Sequence, residues 1–353
     1  MRAGIAYDQT TVRKTYNVTL QPNNFLAPIL TPLTPGAPTT LADANPNSGN
    51  TYGAYVQDSW RINDRYEADY GLRYDYFNIS STNLRAGCGA FSPRVKLTRF
   101  FGARASVYAY AGRLFEPFSF ENVDPVVAQQ LNLPLQPTVA QFDLKPERDT
   151  FLELGAHMPI GRGTLGLRVW QKNANDLIDD TQVGVTLLHQ DINYTLGRIS
   201  QEAAHYEYPL ARNGKSYLNL AHTLSLNAGC ETQLLAPCFG APTGFTPADH
   251  DQRWSVTGGV LLNDARGGWF SLDGEYGSGL SSGLCPASTP GDCKRTPHIV
   301  LASEKGFALS ARTVFTLEID NLLNDRYFVT VLNAQGNHVA PPRTISAGIR
   351  FGL

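Results

Sequence analysis

The chain has 353 residues, of which 17% are charged, and a formal net charge of −2 at neutral pH. Soluble domains average about 25% charged residues, and a near-neutral chain without a Lys/Arg block gives no reason to expect a nucleic-acid partner. The 32 glycines, 22 prolines, 16 tyrosines and 17 phenylalanines are instead typical of a β-protein with many turns.

The start of the chain, residues 1–8, has no apolar segment and no small-residue cleavage site, so we do not interpret it as a signal peptide. For an exported protein, such a start indicates a fragment or a wrongly assigned first residue. No stretch approaches 18 consecutive apolar residues, which excludes a transmembrane helix but leaves open membrane-spanning strands, whose polarity only alternates.

Alternating polarity predicts fourteen strands. Between residues 65 and 77 every even position is Tyr, Ala or Leu, whereas the odd positions carry five charges. Strands with one apolar and one polar side have this pattern. In chain order, the predicted strands are residues 3–18, 51–60, 65–78, 89–99, 104–115, 148–158, 163–173, 192–210, 216–228, 250–262, 267–278, 296–304, 310–323 and 343–353.

The lengths of these strands and of their connections favour a membrane barrel. Tilted membrane strands need about 9 to 11 residues, whereas soluble strands average about 5 to 6. Short connections at 61–64, 100–103, 159–162, 211–215, 263–266 and 305–309 alternate with long ones at 19–50, 79–88, 116–147, 174–191, 229–249, 279–295 and 324–342. Short periplasmic turns opposite long extracellular loops are typical of outer-membrane barrels. The predicted fold is therefore all-β, an antiparallel transmembrane β-barrel, with Trp60, Tyr66 and Trp269 as candidates for an interfacial girdle.

Four of the five cysteines form two close pairs, Cys230 with Cys238 and Cys285 with Cys293, in Pro/Gly-rich long loops. Two loop disulfides in an oxidising compartment are our preferred interpretation, with free thiols as the alternative. Cys88 is left over. No pair has CxxC spacing and no histidine stands at a ligand spacing from them, which argues against a zinc site.

No catalytic, cofactor or metal site is predicted. Residues 161–166 fit G-x-G-x-x-G, but they join two predicted strands and open no helix, so the dinucleotide fingerprint lacks its context. A Walker loop and an HExxH pattern are absent from the sequence, and we do not expect an enzyme. On the polar side of their strands, Glu153, His157 and Arg168 are predicted to face a lumen, where they would line a ligand path or bind water or a plug.

Three stretches resemble TonB-dependent outer-membrane receptors. Residues 52–60 and 71–75 resemble the paired mid-barrel strands of that family. Residues 315–327 resemble its penultimate-strand motif, which includes Asn321, Leu322, Asn324, Arg326 and Tyr327. The alternation that ends in Ile349, Phe351 and Leu353 is similar to the terminal strand recognised by barrel-assembly machinery, although Leu353 stands where an aromatic residue is more usual.

The resemblance implies a bacterial outer-membrane protein in which residues 1–353 form a single barrel portion, without a plug domain, as the last part of a barrel of about 22 strands. It implies uptake of a scarce external ligand, such as a siderophore, cobalamin or an oligosaccharide. The implied partners are outer-membrane lipid, barrel-assembly machinery and, through a plug missing from this chain, the inner-membrane TonB energy-coupling complex.

Two alternatives stay open at this point. One is a self-contained fourteen-stranded passive channel, and the other is a soluble all-β binding protein or enzyme. The membrane interpretation fails if the Leu, Val and Tyr side chains of the strands meet one another in a dry interior.

Overall fold

A computed structural model describes residues 1–13, 15–20, 39–43, 46–80, 85–117, 144–182, 189–210, 214–229, 244–248, 251–281, 297–332 and 336–351. Over these ranges, no helix is long and apolar enough to cross a membrane. The strands in chain order are β1 Arg2–Arg13, β2 Tyr16–Leu20, β3 Thr39–Asp43, β4 Pro46–Asn63, β5 Tyr66–Ser80, β6 Arg85–Phe101, β7 Ala105–Glu116, β8 Glu147–Ile160, β9 Gly163–Gln182, β10 His189–Pro209, β11 Lys215–Ala228, β12 Thr246–Pro247, β13 Trp254–Asn263, β14 Trp269–Gly277, β15 His298–Ser310, β16 Thr313–Asp320, β17 Phe328–Leu332, β18 Gly336–Val339 and β19 Thr344–Phe351.

One large antiparallel sheet contains most of these strands. Its order is β1-β4-β5-β6-β7-β8-β9-β10-β11-β13-β14-β15-β16-β19, with the short β12 added to β11 as a fifteenth strand. The prediction of an all-β antiparallel fold with about fourteen strands is confirmed. Strands β1 and β19 stand at the two ends of the order and do not pair with each other, so the sheet is open.

The two faces of this sheet differ in polarity because successive strand residues point to opposite sides. On one face, Leu72, Leu154 and Leu218 are 43%, 58% and 52% exposed. A soluble sheet would bury such a face against a second layer, and these side chains do not meet in a dry interior. We call this side the apolar face and the opposite side, which carries the charged residues of the alternating pattern, the polar face.

The short turns are closed by local hydrogen bonds. Between β4 and β5, the side-chain Oδ1 of Asn63 accepts hydrogen bonds from the backbone N–H groups of Arg65 and Tyr66, at 2.9 and 3.0 Å. Between β8 and β9, Gly161 has a φ of +60°, which costs glycine little because it has no Cβ. These residues fix tight reversals at one edge of the sheet, which we call the turn end.

The turn between β13 and β14 is organised by a carboxylate. Asp264 Oδ1 accepts hydrogen bonds from the backbone N–H groups of Arg266 and Gly268, at 2.8 and 2.9 Å. The hydrogen bond from Gly268, followed by that from Arg266, lowers the pKa of the Asp264 carboxyl from its ordinary value, because both bonds stabilise its charged form. The ionised side chain therefore acts as part of the turn.

Several predicted boundaries differ from the structure. Strand β4 begins at Pro46, and β15 continues to Ser310 through residues predicted as a turn, because Phe307 and Leu309 extend the alternation on the apolar face. The reversal comes later, where Ser310 Oγ accepts a hydrogen bond from the backbone N–H of Arg312.

Trp269, predicted to belong to an interfacial girdle, lies on the polar face. Its neighbour Phe270 lies on the apolar face, where it pairs with Lys305.

Two of the predicted long loops contain strand residues that pair outside the main sheet. Strands β2 and β3 pair as one antiparallel hairpin, and β17 and β18 pair as another. Pairing satisfies backbone hydrogen-bonding groups that a loop would leave to water. The Pro-rich composition around the first hairpin obscured it in the sequence.

Candidate functional site

The three residues predicted to face a lumen lie together on the polar face. Glu153 and His157 are four residues apart in β8, so their side chains leave the strand on the same side. Arg168 of β9 pairs directly with Gly155, which stands midway between them. The structure thus brings the three side chains to one patch of the sheet, and their role in a lumen stays a prediction.

Tyr108 of β7 joins this patch, although the sequence pattern did not single it out. Its Oη donates a 2.6 Å hydrogen bond to Glu153 Oε1, and its ring stacks on that of His157 with centroids 6.3 Å apart. The ring lies across Gly155, where a Cβ would overlap it. The glycine therefore makes room for the tyrosine, which orients both Glu153 and His157.

Gln201 of β10 connects three strands on the polar face. Its Oε1 accepts hydrogen bonds from Arg168 Nη2 at 3.1 Å and from Trp170 Nε1 at 3.2 Å, while its Nε2 donates to Thr223 Oγ1 at 3.1 Å. A buried or half-buried amide in this arrangement has most of its hydrogen-bonding capacity used. No pattern in the sequence around Gln201 singled it out.

Lateral hydrogen bonds continue along the polar face to β14. His205 contacts Asn219 Oδ1 through Nδ1, and Asn219 Nδ2 donates to Thr257 Oγ1 at 2.9 Å. Farther on, Tyr217 Oη donates to Asp273 Oδ1 at 2.8 Å. The polar face is therefore a continuous surface of donors and acceptors, of the kind that lines a water-filled or plugged barrel.

At the opposite edge of the sheet from the turns, two carboxylates share one lysine. The side chains of Glu147 and Asp149 are 2% and 3% exposed, and Lys172 Nζ lies 2.5 Å from Glu147 Oε1 and 3.4 Å from Asp149 Oδ2. Glu147 Oε2 also accepts the backbone N–H of Ile178 at 2.8 Å. Buried charges persist only where partners compensate their desolvation, so Lys172 is essential to this charge cluster.

Asn193 of β10 is fully buried beside the charge cluster. Its Nδ2 donates to the backbone carbonyls of Asp176 and Lys145, at 2.8 and 3.0 Å, and its Oδ1 accepts the backbone N–H of Lys145 at 2.8 Å. Asp176 has a φ of +57°, and the pairing of β9 with β10 skips it together with Thr195. Asn193 therefore lies beside this interruption of the pairing and fastens the segment that leads into β8.

The motif that resembles the penultimate strand of the receptor family forms a tight corner at the end of β16. Asn321 has a φ of +49°, and its Nδ2 donates to the backbone carbonyls of Asp325 and Pro341, at 2.9 and 3.1 Å. Its Oδ1 accepts the backbone N–H of Asp325 at 2.8 Å. The backbone N–H of Leu322 donates to a carbonyl of β15 at 2.7 Å. The corner thus ties β15, β16 and the entry to β19 together.

The rest of the motif completes this corner. Asn324, with a φ of +54°, accepts the backbone N–H of Arg343 at 3.0 Å. Tyr327 stacks almost parallel on the buried His298, with ring centroids 4.0 Å apart, and burial raises the pKa of its hydroxyl. Arg326 is exposed. The geometry gives Asn321, Asn324 and Tyr327 structural contacts, and a ligand role is assigned to none of them.

Other predicted residues divide between the apolar face and the undescribed ranges. Ile349 and Phe351 lie on the apolar face of β19, 58% and 71% exposed, and their role in assembly stays a prediction. Leu353 and the cysteine pairs fall outside the described residues, which leaves the disulfides a prediction as well. Cys88 is free. In the described ranges, His, Cys, Asp and Glu side chains form no group of three suited to a metal ion.

Comparisons with solved structures find the same fold in outer-membrane receptors and transporters. A siderophore receptor, PiuA from Acinetobacter baumannii, aligns over 99% of this chain and 52% of its own, with a TM-score of 0.65 and 12% identity. The ferric-catecholate import receptor Fiu from E. coli K12 aligns over 99% and 54%, with a TM-score of 0.64 and 11% identity. The copper transporter OprC aligns over 88% and 48%, with a TM-score of 0.64 and 15% identity. The chain spans about half the length of these structures.

A family model described as "TonB dependent receptor-like, beta-barrel" matches residues 2–229, which is more than half of the chain. The match includes β1 to β11 and therefore most of the polar face described above. The open antiparallel sheet, its exposed apolar face and this match agree with one another, and the chain belongs to the TonB-dependent receptor-like β-barrel family of the bacterial outer membrane.

Proposed function

We propose that this chain forms one wall of a receptor barrel of about 22 strands that takes up a scarce external ligand. A metal chelate, such as a ferric siderophore, is the ligand class that we favour within the predicted set of siderophores, cobalamin and oligosaccharides. The names of the matched structures, a copper transporter, a ferric-catecholate receptor and a siderophore receptor, support this choice.

The observation that carries the proposal is the opposite polarity of the two faces. Leucine, valine and tyrosine side chains are exposed on one face, and laterally hydrogen-bonded polar side chains cover the other. In a membrane, the first face suits hydrocarbon and the second suits a central space. In that space, we propose that Glu153, His157 and Arg168 line the ligand path or contact a plug.

Because the sheet is open, the chain needs further strands to form a barrel. Strands β1 and β19 each leave one edge unpaired in the sheet, and unpaired strand edges are not stable in lipid. We propose that further strands complete the barrel and that barrel-assembly machinery recognises β19. We also propose that the TonB complex acts on the receptor through a plug. We assign the receptor no catalytic activity.

Uptake by the full receptor tests the proposal. The gene that encodes this chain, with its complete reading frame, would be expressed in a strain that lacks its own ferric-siderophore receptors, and growth would be measured under iron limitation. We expect growth on a ferric siderophore that disappears when tonB is deleted. Growth independent of TonB, or no uptake of any metal chelate, would contradict the assignment.

A second measurement separates a receptor wall from a complete pore. The 353-residue chain would be inserted into planar bilayers, and single-channel conductance would be recorded. Steady conductance without added ligand, from monomeric chain, would support the alternative of a self-contained fourteen-stranded channel. We expect no channel of defined conductance, because the sheet is open between β1 and β19.

A further inference from the structure

Cations lie over aromatic rings on the apolar face at the turn end of the sheet. Arg99, near the end of β6, places its Cζ 4.7 Å from the centre of the Phe101 ring and 5.8 Å from that of Tyr66. Arg162, in the turn between β8 and β9, has its Cζ 5.7 Å from the ring centre of Tyr208. A guanidinium over a ring is oriented by this contact while its edge stays free for another partner.

Both arginines are exposed, and neither forms a salt bridge with a carboxylate in the described residues. Two other cations that lie over rings, Lys305 over Phe307 and Arg61 over Phe100, differ because each also forms a salt bridge. Lys305 lies over Phe307 at 5.5 Å, but its Nζ is 3.6 Å from Asp264. Asp264 therefore neutralises Lys305, whereas no carboxylate among the described residues neutralises Arg99 or Arg162.

The second neutralised pair lies on the polar face. Arg61 covers Phe100 at 4.2 Å and forms a 3.2 Å salt bridge with Glu67. Lys305, Arg99 and Arg162 lie on the apolar face, and of these three cations only Lys305 has a carboxylate partner among the described residues. An anion that meets Arg99 and Arg162 would therefore come from the membrane that this face contacts.

Position along the strands specifies the part of the membrane. Arg99 is two residues from the end of β6, and Arg162 directly precedes β9, so both stand at the border of the apolar face and not within it. Tyrosine and phenylalanine at such a border suit the headgroup region. Arginine binds phosphate oxygens through two parallel hydrogen bonds, and cations near a membrane surface attract anionic lipids.

We propose that Arg99 and Arg162 bind the phosphate groups of anionic phospholipids in the leaflet at the turn end of the barrel. The ring beneath each guanidinium holds it level with the headgroups, and the acyl chains of the bound lipid lie along the apolar face. This inference depends on the outer-membrane location of the chain. It is independent of the ligand that the receptor transports.

Native mass spectrometry of the full-length receptor that contains this chain, extracted from vesicles of mixed phosphatidylcholine and phosphatidylglycerol, tests the inference. We expect the wild-type chain to retain phosphatidylglycerol about fivefold more than phosphatidylcholine per site. In Arg99→Gln/Arg162→Gln the preference should be lost, and in Arg99→Lys/Arg162→Lys it should fall between these two values, because lysine keeps the charge but not the paired hydrogen bonds. Circular dichroism of each variant checks that its strand content is unchanged.

Lys305→Gln and Arg61→Gln are the matched controls, because each removes a cation that lies over a ring but already has a carboxylate partner. Both should retain the wild-type preference. The inference is overturned if the wild-type chain retains the two lipids equally, if the double Gln variant keeps its preference, or if a control loses it. Release of phosphatidylglycerol by inorganic phosphate, but not by chloride at the same ionic strength, would identify a site for free phosphate and overturn the lipid assignment.

Discussion

The side-chain amide of Asn193 binds both backbone groups of Lys145, accepting from its N–H at 2.8 Å and donating to its carbonyl at 3.0 Å. The two residues are 48 positions apart in the sequence, and the amide imitates the pairing of a neighbouring strand. The segment that leads into β8 is therefore fixed to the β9–β10 hairpin before the long strands begin. Since Asn193 is fully buried, water cannot replace these bonds.

Replacing Asn193 should loosen this junction. In Asn193→Ala, the backbone groups of Lys145 and Asp176 lose their partners in a buried place, and we expect a loss of about 1 to 3 kcal/mol in local opening free energy. Hydrogen exchange of the Lys145 amide would measure it. The control is Asn175→Ala, which removes an exposed amide next to the same interruption of the β9–β10 pairing. Equal protection of the Lys145 amide in both variants would refute the proposed role.

The charge cluster makes a stronger prediction for Lys172. In Lys172→Met, Glu147 and Asp149 stay buried without a cation, and we expect a destabilisation of about 3 to 5 kcal/mol in denaturant unfolding. The triple variant Lys172→Met/Glu147→Gln/Asp149→Asn removes all three charges and should recover most of this loss. If the single and the triple variant unfold at the same denaturant concentration, the charges are not the cause.

Cysteine labelling in a lipid bilayer tests the assignment of the two faces. Arg168 and Val169 are neighbours in β9 that point to opposite sides. In a Cys88→Ser background, a water-soluble maleimide should modify Arg168→Cys and leave Val169→Cys unmodified, because lipid would cover the latter. Peptide mass mapping would locate the label. The reverse pattern, or labelling of both positions at the same rate, would contradict the membrane orientation of the sheet.

The two asparagines of the family motif should differ in their sensitivity to substitution. Asn321→Ala loses three side-chain hydrogen bonds and places alanine in a left-handed conformation, so we expect a destabilisation of about 2 to 4 kcal/mol. Asn324→Gly loses one hydrogen bond but suits the positive φ, and its effect should stay within about 1 kcal/mol. Urea unfolding of the detergent-folded chain measures both. A larger loss in the glycine variant would count against the corner described here.

The turn at Asp264 should depend on pH in a defined direction. The pKa of its carboxyl is lower in the folded chain than in the unfolded chain, so its contribution to stability is fully present above the unfolded pKa of about 3.9. That contribution should disappear as the pH falls through the lowered folded value. Hydrogen exchange of the Gly268 amide, measured as the pH is lowered from the unfolded pKa towards the folded pKa, would follow this loss of stability. In Asp264→Asn, this pH dependence should be absent.

Much of the fold could be predicted from the sequence because side chains alternate between the two faces of a strand, so the residue type at each position indicates which face is apolar. The alternation at residues 65–77 indicated which side of β5 is polar, and the alternation within their own strands placed Glu153, His157 and Arg168 on the polar side. The same reasoning failed at the turn after β15, because Phe307 and Leu309 were assigned to a turn although they follow the alternation. It also failed for both hairpins within the long loops, where short strands among Pro and Gly give a weak periodic signal.

The contacts at the site were less predictable because they join residues far apart in the chain. Tyr108 and Glu153 are 45 positions apart, and Arg168 and Gln201 are 33 apart. Nothing near Gln201 in the sequence indicates that its amide would connect three strands. The charge cluster was missed for a similar reason, since Glu147 and Lys172 meet only after β8 and β9 are in register.

The sequence by itself determined that the chain forms long strands, which side of each strand is apolar and which family it resembles, because all three depend on residue type at short spacing. Tertiary structure alone decided that Asn193 and Asn321 act as clamps, that Arg99 and Arg162 have no carboxylate partner among the described residues, and that β1 and β19 leave the sheet open. These features depend on strand register and on distances between remote residues. A repeating pattern of period two specifies the side of each residue, but it does not specify the neighbour that each residue meets.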